Sequence, residues 1–378
     1  MKTKILTLFS CLVVLLSLSL PLNAHASGLS LTMAIDKPMY RLLRGTPSII
    51  NVWGNLTLDG ISVSDGLVAV SAWQLTGYPT SPQFLRPVLF RTLTTGQPPQ
   101  QNWNLNVSLD VLGFTGDGYV NQTVFHRPSS QQDLGPAFNI TWTNTGLEWL
   151  QTIYVTLSIF DAARVPIKTI EVAKIIQPMA PNTTAGKIVA PIPLDDWVAL
   201  GNATAYVCAF DEIPPSNYYA YCPEVSRQFE IVPANASQLS SQANSLVPKT
   251  QISSSLDRNY NLTFALDYHT ALPLYSPWGN YTIKVTSKYQ GLMATNAYVF
   301  WARIPGDVNG DGKVDIKDAT LIGVHWRHRL PPTYPNPHPT DPVKLAQCMS
   351  ADINGDCIVD IKDASMVGAY WGSREHGK

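Results

Sequence analysis

From residue 28 to residue 303 the apolar positions recur with a period of two. Ile153, Val155, Leu157 and Ile159 alternate with Tyr154, Thr156 and Ser158, and Tyr281, Ile283 and Val285 alternate with Thr282, Lys284 and Thr286. This is the pattern of a half-buried β-strand, whose successive side chains point to opposite faces. Pro, Gly and Asn punctuate the runs. Asp59-Gly60 and Asp65-Gly66 fall between short apolar stretches, where Asp-Gly supplies the positive φ of a tight hairpin turn. Many short strands separated by turn residues predict a mainly β chain of immunoglobulin-like β-sandwiches in tandem. Gly96-Gln97-Pro98-Pro99-Gln100-Gln101 reads as a linker, and the Ser-, Gln- and Asn-rich residues 236–245 as a second boundary. The expected division is a sandwich at 28–97, another at 103–232, and a piece at 235–303 that stands alone or completes the second.

Past residue 304 the pattern becomes two copies of one unit. Asp307, Asn309, Asp311, Asp315 and Asp318 occupy positions 1, 3, 5, 9 and 12 of a twelve-residue stretch. Asp352, Asn354, Asp356, Asp360 and Asp363 repeat it 45 residues later. Alternate positions on a curling loop point inward, and a hard cation such as Ca2+ takes six to eight oxygen ligands. Position 7 offers a backbone carbonyl, from Lys313 and Ile358, and position 8 is Val314 or Val359, which can anchor each loop to its twin. Two calcium ions are expected. Each loop runs into apolar residues at helical spacing, Asp318 to Trp326 and Asp363 to Trp371, with Asp at the start to complement the helix dipole. Position 6 is Gly312 in the first loop and Cys357 in the second. The sharp turn there suits glycine, so the second site is expected to be the weaker.

A sensor EF-hand has a helix before each loop and usually Glu at position 12, whereas here Pro305-Gly306 precedes the first loop and both twelfth residues are Asp. That pattern resembles the type I dockerin family over residues 305–372. The resemblance implies a small domain, 304–378, that folds around two calcium ions and docks onto a cohesin-like or other surface protein. Positions 10 and 11 hold Ile316-Lys317 and Ile361-Lys362, where well-studied members often carry Ser-Thr pairs, and the repetition keeps the family's internal two-fold. Upstream, Ile35-Asp36-Lys37-Pro38-Met39-Tyr40 and the strands that follow resemble macroglobulin-like domains of immunoglobulin type. FNITWTNTG at 138–146 with IYVTLSIFDA at 153–162 resembles the adhesion-type sandwiches of bacterial and archaeal surface proteins.

Composition then places the chain. Lys2 and Lys4, the apolar residues 5–22 and Ala24-His25-Ala26 describe a secretory signal peptide over 1–26, so a secreted or cell-surface protein without a membrane span in its mature form is expected. A net charge of -1 and only 14% charged residues exclude an electrostatic footprint for nucleic acid. Cys208, Cys222, Cys348 and Cys357 suggest two local disulfides, Cys208–Cys222 and Cys348–Cys357, among three possible connectivities. Asn-x-Ser/Thr sequons at Asn55, Asn106, Asn121, Asn139, Asn182, Asn202, Asn235, Asn261 and Asn280 fit an exported glycoprotein.

No GxSxG, HExxH or Walker loop is present, and Asp195-Asp196 and Asp211-Glu212 are adjacent pairs in expected loops. The expectation is a non-catalytic protein whose sandwiches form a stalk or adhesive surface. The alternative is a dockerin-tethered component of a polysaccharide-degrading complex, carbohydrate-binding or hydrolytic. Trp53, Trp73, Trp103, Trp142, Trp149, Trp197, Trp278 and Trp301 are candidate platforms for sugar, with core packing expected for most. His325 and His328 are expected on a helix surface.

Overall fold

The computed structural model describes residues 28–43, 46–76, 83–96, 103–131, 133–234, 258–271, 277–328, 350–354 and 358–374. The expected signal peptide, the Cys348–Cys357 disulfide, Asp356, Asn235 and nearly all of both expected boundary segments lie outside these residues. Among the described residues no helix is long and apolar enough to cross a membrane. The chain is mainly β, as the alternation predicts; among the described residues α-helix is found past residue 304, as α1 (Ile316–Val324) and α2 (Ile361–Ala369), besides a short 3-10 helix at Tyr268–Ala271.

The strands do not follow the expected three-part division. A five-stranded sheet runs Met39–Arg41, Leu292–Arg303, Gly279–Tyr289, Leu67–Thr76, Gln83–Thr94. Facing it, Tyr260–Leu266 pairs antiparallel with Ser48–Gly54, beside a small sheet of Leu29–Leu31, Leu56–Leu58 and Ile61–Ser62. Residues 260–303 therefore complete the first sandwich. They are neither a free-standing module nor part of the second. Val68, Val70, Ile283, Val285 and Phe300 from one side and Ile50, Val52, Leu262 and Phe264 from the other fill its core.

The second sandwich, spanning residues 105–233, is inserted in the first. Its five-stranded sheet runs Val124–Arg127, Val225–Pro233, Gly201–Phe210, Ile153–Phe160, Pro166–Ile175. Its four-stranded sheet runs Tyr119–Asn121, Leu105–Phe114, Ala137–Asn144, Thr184–Val189. Each sandwich closes its five-stranded sheet with one parallel pairing, 39–41 beside 301–303 and 124–127 beside 230–233.

The two five-stranded sheets stack against each other, and this corrects the expectation of a half-buried strand at 153–160. Every residue of that strand is buried. Its apolar side faces the second core. Its other side meets the first sandwich, where Tyr154, Phe210 and Tyr218 pack with Trp73 and Phe90 and the Phe90 N–H donates to Ser158 Oγ at 2.9 Å. The small Ser158 hydroxyl lets the two backbones approach there while satisfying the Phe90 N–H.

The same layering undoes the expected Cys208–Cys222 disulfide, because both cysteines are free and buried. Cys208 packs in the interface between the sandwiches and Cys222 in the core of the second, so closeness in sequence does not bring the sulfurs into bonding geometry. Of the two Asp-Gly pairs, Asp59-Gly60 makes the expected turn, with φ of 53° and 80°. Gly66 has no positive φ; a Cβ there would stand 2.6 Å from Leu56 Cδ2, so a side chain would have to displace that buried leucine.

At the end of the second sandwich that abuts the first, Asp161 accepts N–H groups from Ala163, Val165 and Ala199, each at 2.9 Å. Burial raises its carboxyl to about 6 against those three donors, with Asp267 adding to the rise. Its folded pKa lies above the unfolded one, so the folded state holds the extra proton. The stability this group contributes is full below about pH 4 and is lost as pH rises through about 6. The loss should reach about 2–3 kcal/mol at pH 7. Urea unfolding of the native chain and of Asp161→Asn from pH 4 to 7 checks this: the difference between them should carry that slope, and parallel curves would assign it to other groups.

Candidate metal centre

The first loop follows directly on the strand Leu292–Arg303, with no preceding helix. Its curl comes from Gly310 and Gly312, whose φ values are 76° and 81°, a region that costs glycine little. The inward side chains are held by the loop's own backbone. Asp307 accepts from Gly310 N at 2.8 Å and Gly312 N at 3.0 Å, Asn309 Oδ1 from Asp311 N at 2.8 Å, and Asp311 Oδ1 from Lys313 N at 3.1 Å. Position 12 straps the loop shut. Asp318, 0% exposed, takes Val308 N (2.8 Å) and Asn309 N (3.1 Å) on one oxygen and Asp315 N (2.8 Å) on the other.

The second loop repeats the strap. Asp363, also 0% exposed, accepts Ile353 N at 2.7 Å, Asn354 N at 3.2 Å and Asp360 N at 2.9 Å. Asp315 and Asp360 are the N-caps of α1 and α2, each closing a capping box with Asp318 or Asp363, which satisfies helix donors that would otherwise be orphaned. Position 12 thus serves loop and helix at once.

Val314 and Val359 are buried in one core with Ile322, Val367 and Tyr370. Each pairs with the tail of the other repeat: Val314 N donates to Ser373 O, and Val359 N to His328 O, both at 3.0 Å. Val314 and Val359 thus do anchor each loop to its twin, and the partner is the segment beyond the twin's helix. The repeats interlock.

Among the described residues no three His, Cys, Asp or Glu side chains stand close enough to hold a metal ion by themselves. The donor set nevertheless fits calcium by its chemistry. An ionised carboxylate carries about four lone-pair sites, so an Asp307 that accepts Gly310 N and Gly312 N is of a type that can also ligate a cation. The Asp307 side chain is 0% exposed, and Arg303 Nη1 lies 3.8 Å from it. Asp307, Asp318, Asp352 and Asp363 are all buried, and buried carboxylates call for compensating positive charge. At Asp311 desolvation works against ionisation. The Lys313 N–H, the Asn309 amide and Lys317 outweigh it and hold the carboxyl below the usual range. Asp307, Asn309, Asp311, the Lys313 carbonyl, Asp315 and Asp318 would supply the first ion; Asp352, Asn354, the Ile358 carbonyl, Asp360 and Asp363, with Asp356, the second. Cys357 lies outside the described residues, so the expected inequality of the two sites stays an expectation.

Elsewhere the candidate groups have local roles. His325 is 4% exposed, not on the helix surface, because it turns inward with its Nδ1 3.3 Å from that of His328. Asp195 accepts from Trp197 Nε1 and Asp211 from Tyr219 N. Trp73, Trp142 and Trp278 are buried, and Trp197 lies flat on His269 at 5.2 Å. None of the sequon asparagines within the described residues is buried. Sequence reasoning missed Arg41 and Arg303, which reach the loops from the sandwich; no local motif marks them.

No curated protein matches the chain. Among solved structures, dimeric latent PorU from Porphyromonas gingivalis aligns at 9% identity over 73% of this chain and 34% of its own, with a TM-score of 0.18. The chain thus spans about a third of that protein's length, and so slight a likeness carries no argument. The C-terminal module is different: residues 305–372 match the family model of the dockerin type I domain, a family that binds calcium and docks onto cohesins.

Proposed function

We propose that this is an exported, non-catalytic surface protein whose C-terminal module, loaded with two calcium ions, docks onto a cohesin-type partner, while the nested sandwiches form a stalk or adhesive surface. The observation that carries the reading is the pair of loop–helix units with matching carboxylate straps over Asp318 and Asp363. The outer helix faces support docking. Ile316 is 66% and Ile361 67% exposed, and Val324, Trp326 and Trp371 are exposed beyond them. An isoleucine at the first turn of each helix is costly to leave in water and useful in an interface.

The test is a pull-down of cohesin-type domains by the full chain, in calcium and in EGTA. Retention in calcium alone is expected, with at least tenfold weaker binding for the double variant Ile316→Asp/Ile361→Asp; a charge forced into an apolar contact costs well over 1.4 kcal/mol. A single substitution should cost much less if either repeat can face the partner. Capture that persists in EGTA would sink the reading.

A further inference from the structure

The five-stranded sheet of the first sandwich ends where the calcium module begins, and its end carries two arginines. Arg41 and Arg303 are register partners in the parallel pairing of 39–41 with 301–303. Partners in register on neighbouring strands share a face. Arg41 donates from Nη1 to the Asp352 carbonyl at 2.7 Å and from Nη2 to the Ser350 carbonyl at 2.8 Å. Arg303 donates from Nη1 to the Gly310 carbonyl at 3.5 Å and stands 3.8 Å from Asp307 Oδ2. One guanidinium therefore meets the second loop at its first residue, and its neighbour meets the first loop at its first and fourth. Burial works against the charge of Arg41, while Asp352, Asp363 and Asp307 favour it, so its field reaches both loops.

The apolar contact beneath is continuous. Leu42, Trp278, Phe300 and Ile304 share one core with Val308, Val314, Val359 and Tyr370. Trp278 meets Tyr370 edge-on at 6.0 Å. At Gly306, between sheet and loop, a Cβ would stand 2.9 Å from Val314 Cγ1 and 3.1 Å from the Val367 Cα. The module is seated on the sandwich, not hung from it.

We propose that Arg41 and Arg303 are positioning residues, a paired clamp through which the first sandwich holds the two calcium loops, so that calcium occupancy and the stability of that sandwich are linked. The inference rests on the calcium reading above. The two prongs act differently. Arg41 binds main-chain carbonyls and fixes the start of the second loop without occupying a carboxylate. Arg303 faces the Asp307 carboxylate itself and competes with a cation for it. Linkage is reciprocal: what calcium does for the sandwich, the sandwich does for calcium.

Hydrogen exchange on the full chain, with calcium and with EGTA, tests this segment by segment. In the native chain calcium should slow exchange in residues 307–324 and also in strands 279–289 and 292–303, while strands 105–114 and 201–210 of the second sandwich stay unchanged. In Arg41→Ala the calcium-induced protection of 279–303 should fall at least tenfold while that of α1 persists, with partial recovery in Arg41→Lys. Arg303→Gln should bind calcium two- to tenfold tighter at the first loop by calorimetry. The clamp is overturned if native protection stops at residue 304, if Arg41→Ala leaves it unchanged, or if Arg303→Gln binds calcium no tighter. Absence of any calcium effect on 307–318 would instead overturn the calcium reading from which it starts.

Discussion

In 10 mM calcium the full chain should melt several degrees higher than in EGTA, and Asp318→Ala should remove that gain and unfold the C-terminal module even without the metal. Extracellular loops of this type bind calcium at about 10⁻⁴–10⁻³ M, so 10 mM stabilises each site by about 1.4–2.7 kcal/mol. The intrinsic loss is larger, because Asp318 is fully buried and its two oxygens take three backbone N–H groups. An orphaned buried donor costs about 1–3 kcal/mol, and relief from burying a charge offsets part of the total, which leaves about 3 kcal/mol. Asp318→Asn separates the two roles. Its one carbonyl oxygen can still receive Val308 and Asn309, so the module should fold in EGTA, yet the charge and half of the bidentate capacity are gone. Calorimetric melts of the native chain, Asp318→Ala and Asp318→Asn make the comparison. A calcium shift in Asp318→Asn equal to the native one would remove position 12 from the ligand set.

The loops were legible in the sequence because calcium coordination is local. Twelve consecutive residues bring their own donors, their glycine turn and their helix cap, so spacing alone states the chemistry. The nesting of the sandwiches was not legible. Sequential strands usually lie side by side, and nothing near Tyr260 announces that its partner is Gly54, some two hundred residues earlier. Alternation shows that a strand has two unlike faces without showing what covers the polar one. Tyr154, Thr156 and Ser158 read as a solvent face, yet they are buried against a second sheet, from which Ser158 accepts the Phe90 N–H. Cys208 and Cys222 read as a pair for the same reason that they are not one: proximity along the chain says nothing about which core each side chain enters. The arginines at the module's seat share this limit. Arg41 meets Asp352 across 311 positions, a contact that exists only once the strand 39–41 lies beside 301–303.

A largely shielded ion pair helps fasten the inserted sandwich, with side chains 13% and 17% exposed, and removing half of it should cost about 3 kcal/mol, the low end for a buried pair. Arg91, on the edge strand of the first sandwich, meets Glu224 of the second through two hydrogen bonds, Nη2 to Oε1 at 2.5 Å and Nε to Oε2 at 2.8 Å. Glu224 also accepts the Thr92 N–H at 2.9 Å. The guanidinium carbon lies 3.5 Å from the centroid of the Tyr206 ring, a position that attracts a cation. Burial disfavours the charge on Arg91, and Glu224 outweighs it, so the proton is held more tightly than usual. Arginine cannot shed its charge, so Glu224→Ala strands a largely shielded cation and a buried N–H together. Urea unfolding should therefore show the large loss for Glu224→Ala. The double variant Arg91→Met/Glu224→Leu, which removes both charges and fills the space, should recover the part of the loss due to the stranded cation and keep only about 1–3 kcal/mol for the Thr92 N–H left without its acceptor. That contrast distinguishes a lock that depends on charge pairing from one that depends on packed volume: if Glu224→Ala costs less than about 1 kcal/mol, the apolar seam of Trp73, Phe90, Phe210 and Tyr218 holds the two sandwiches together by itself.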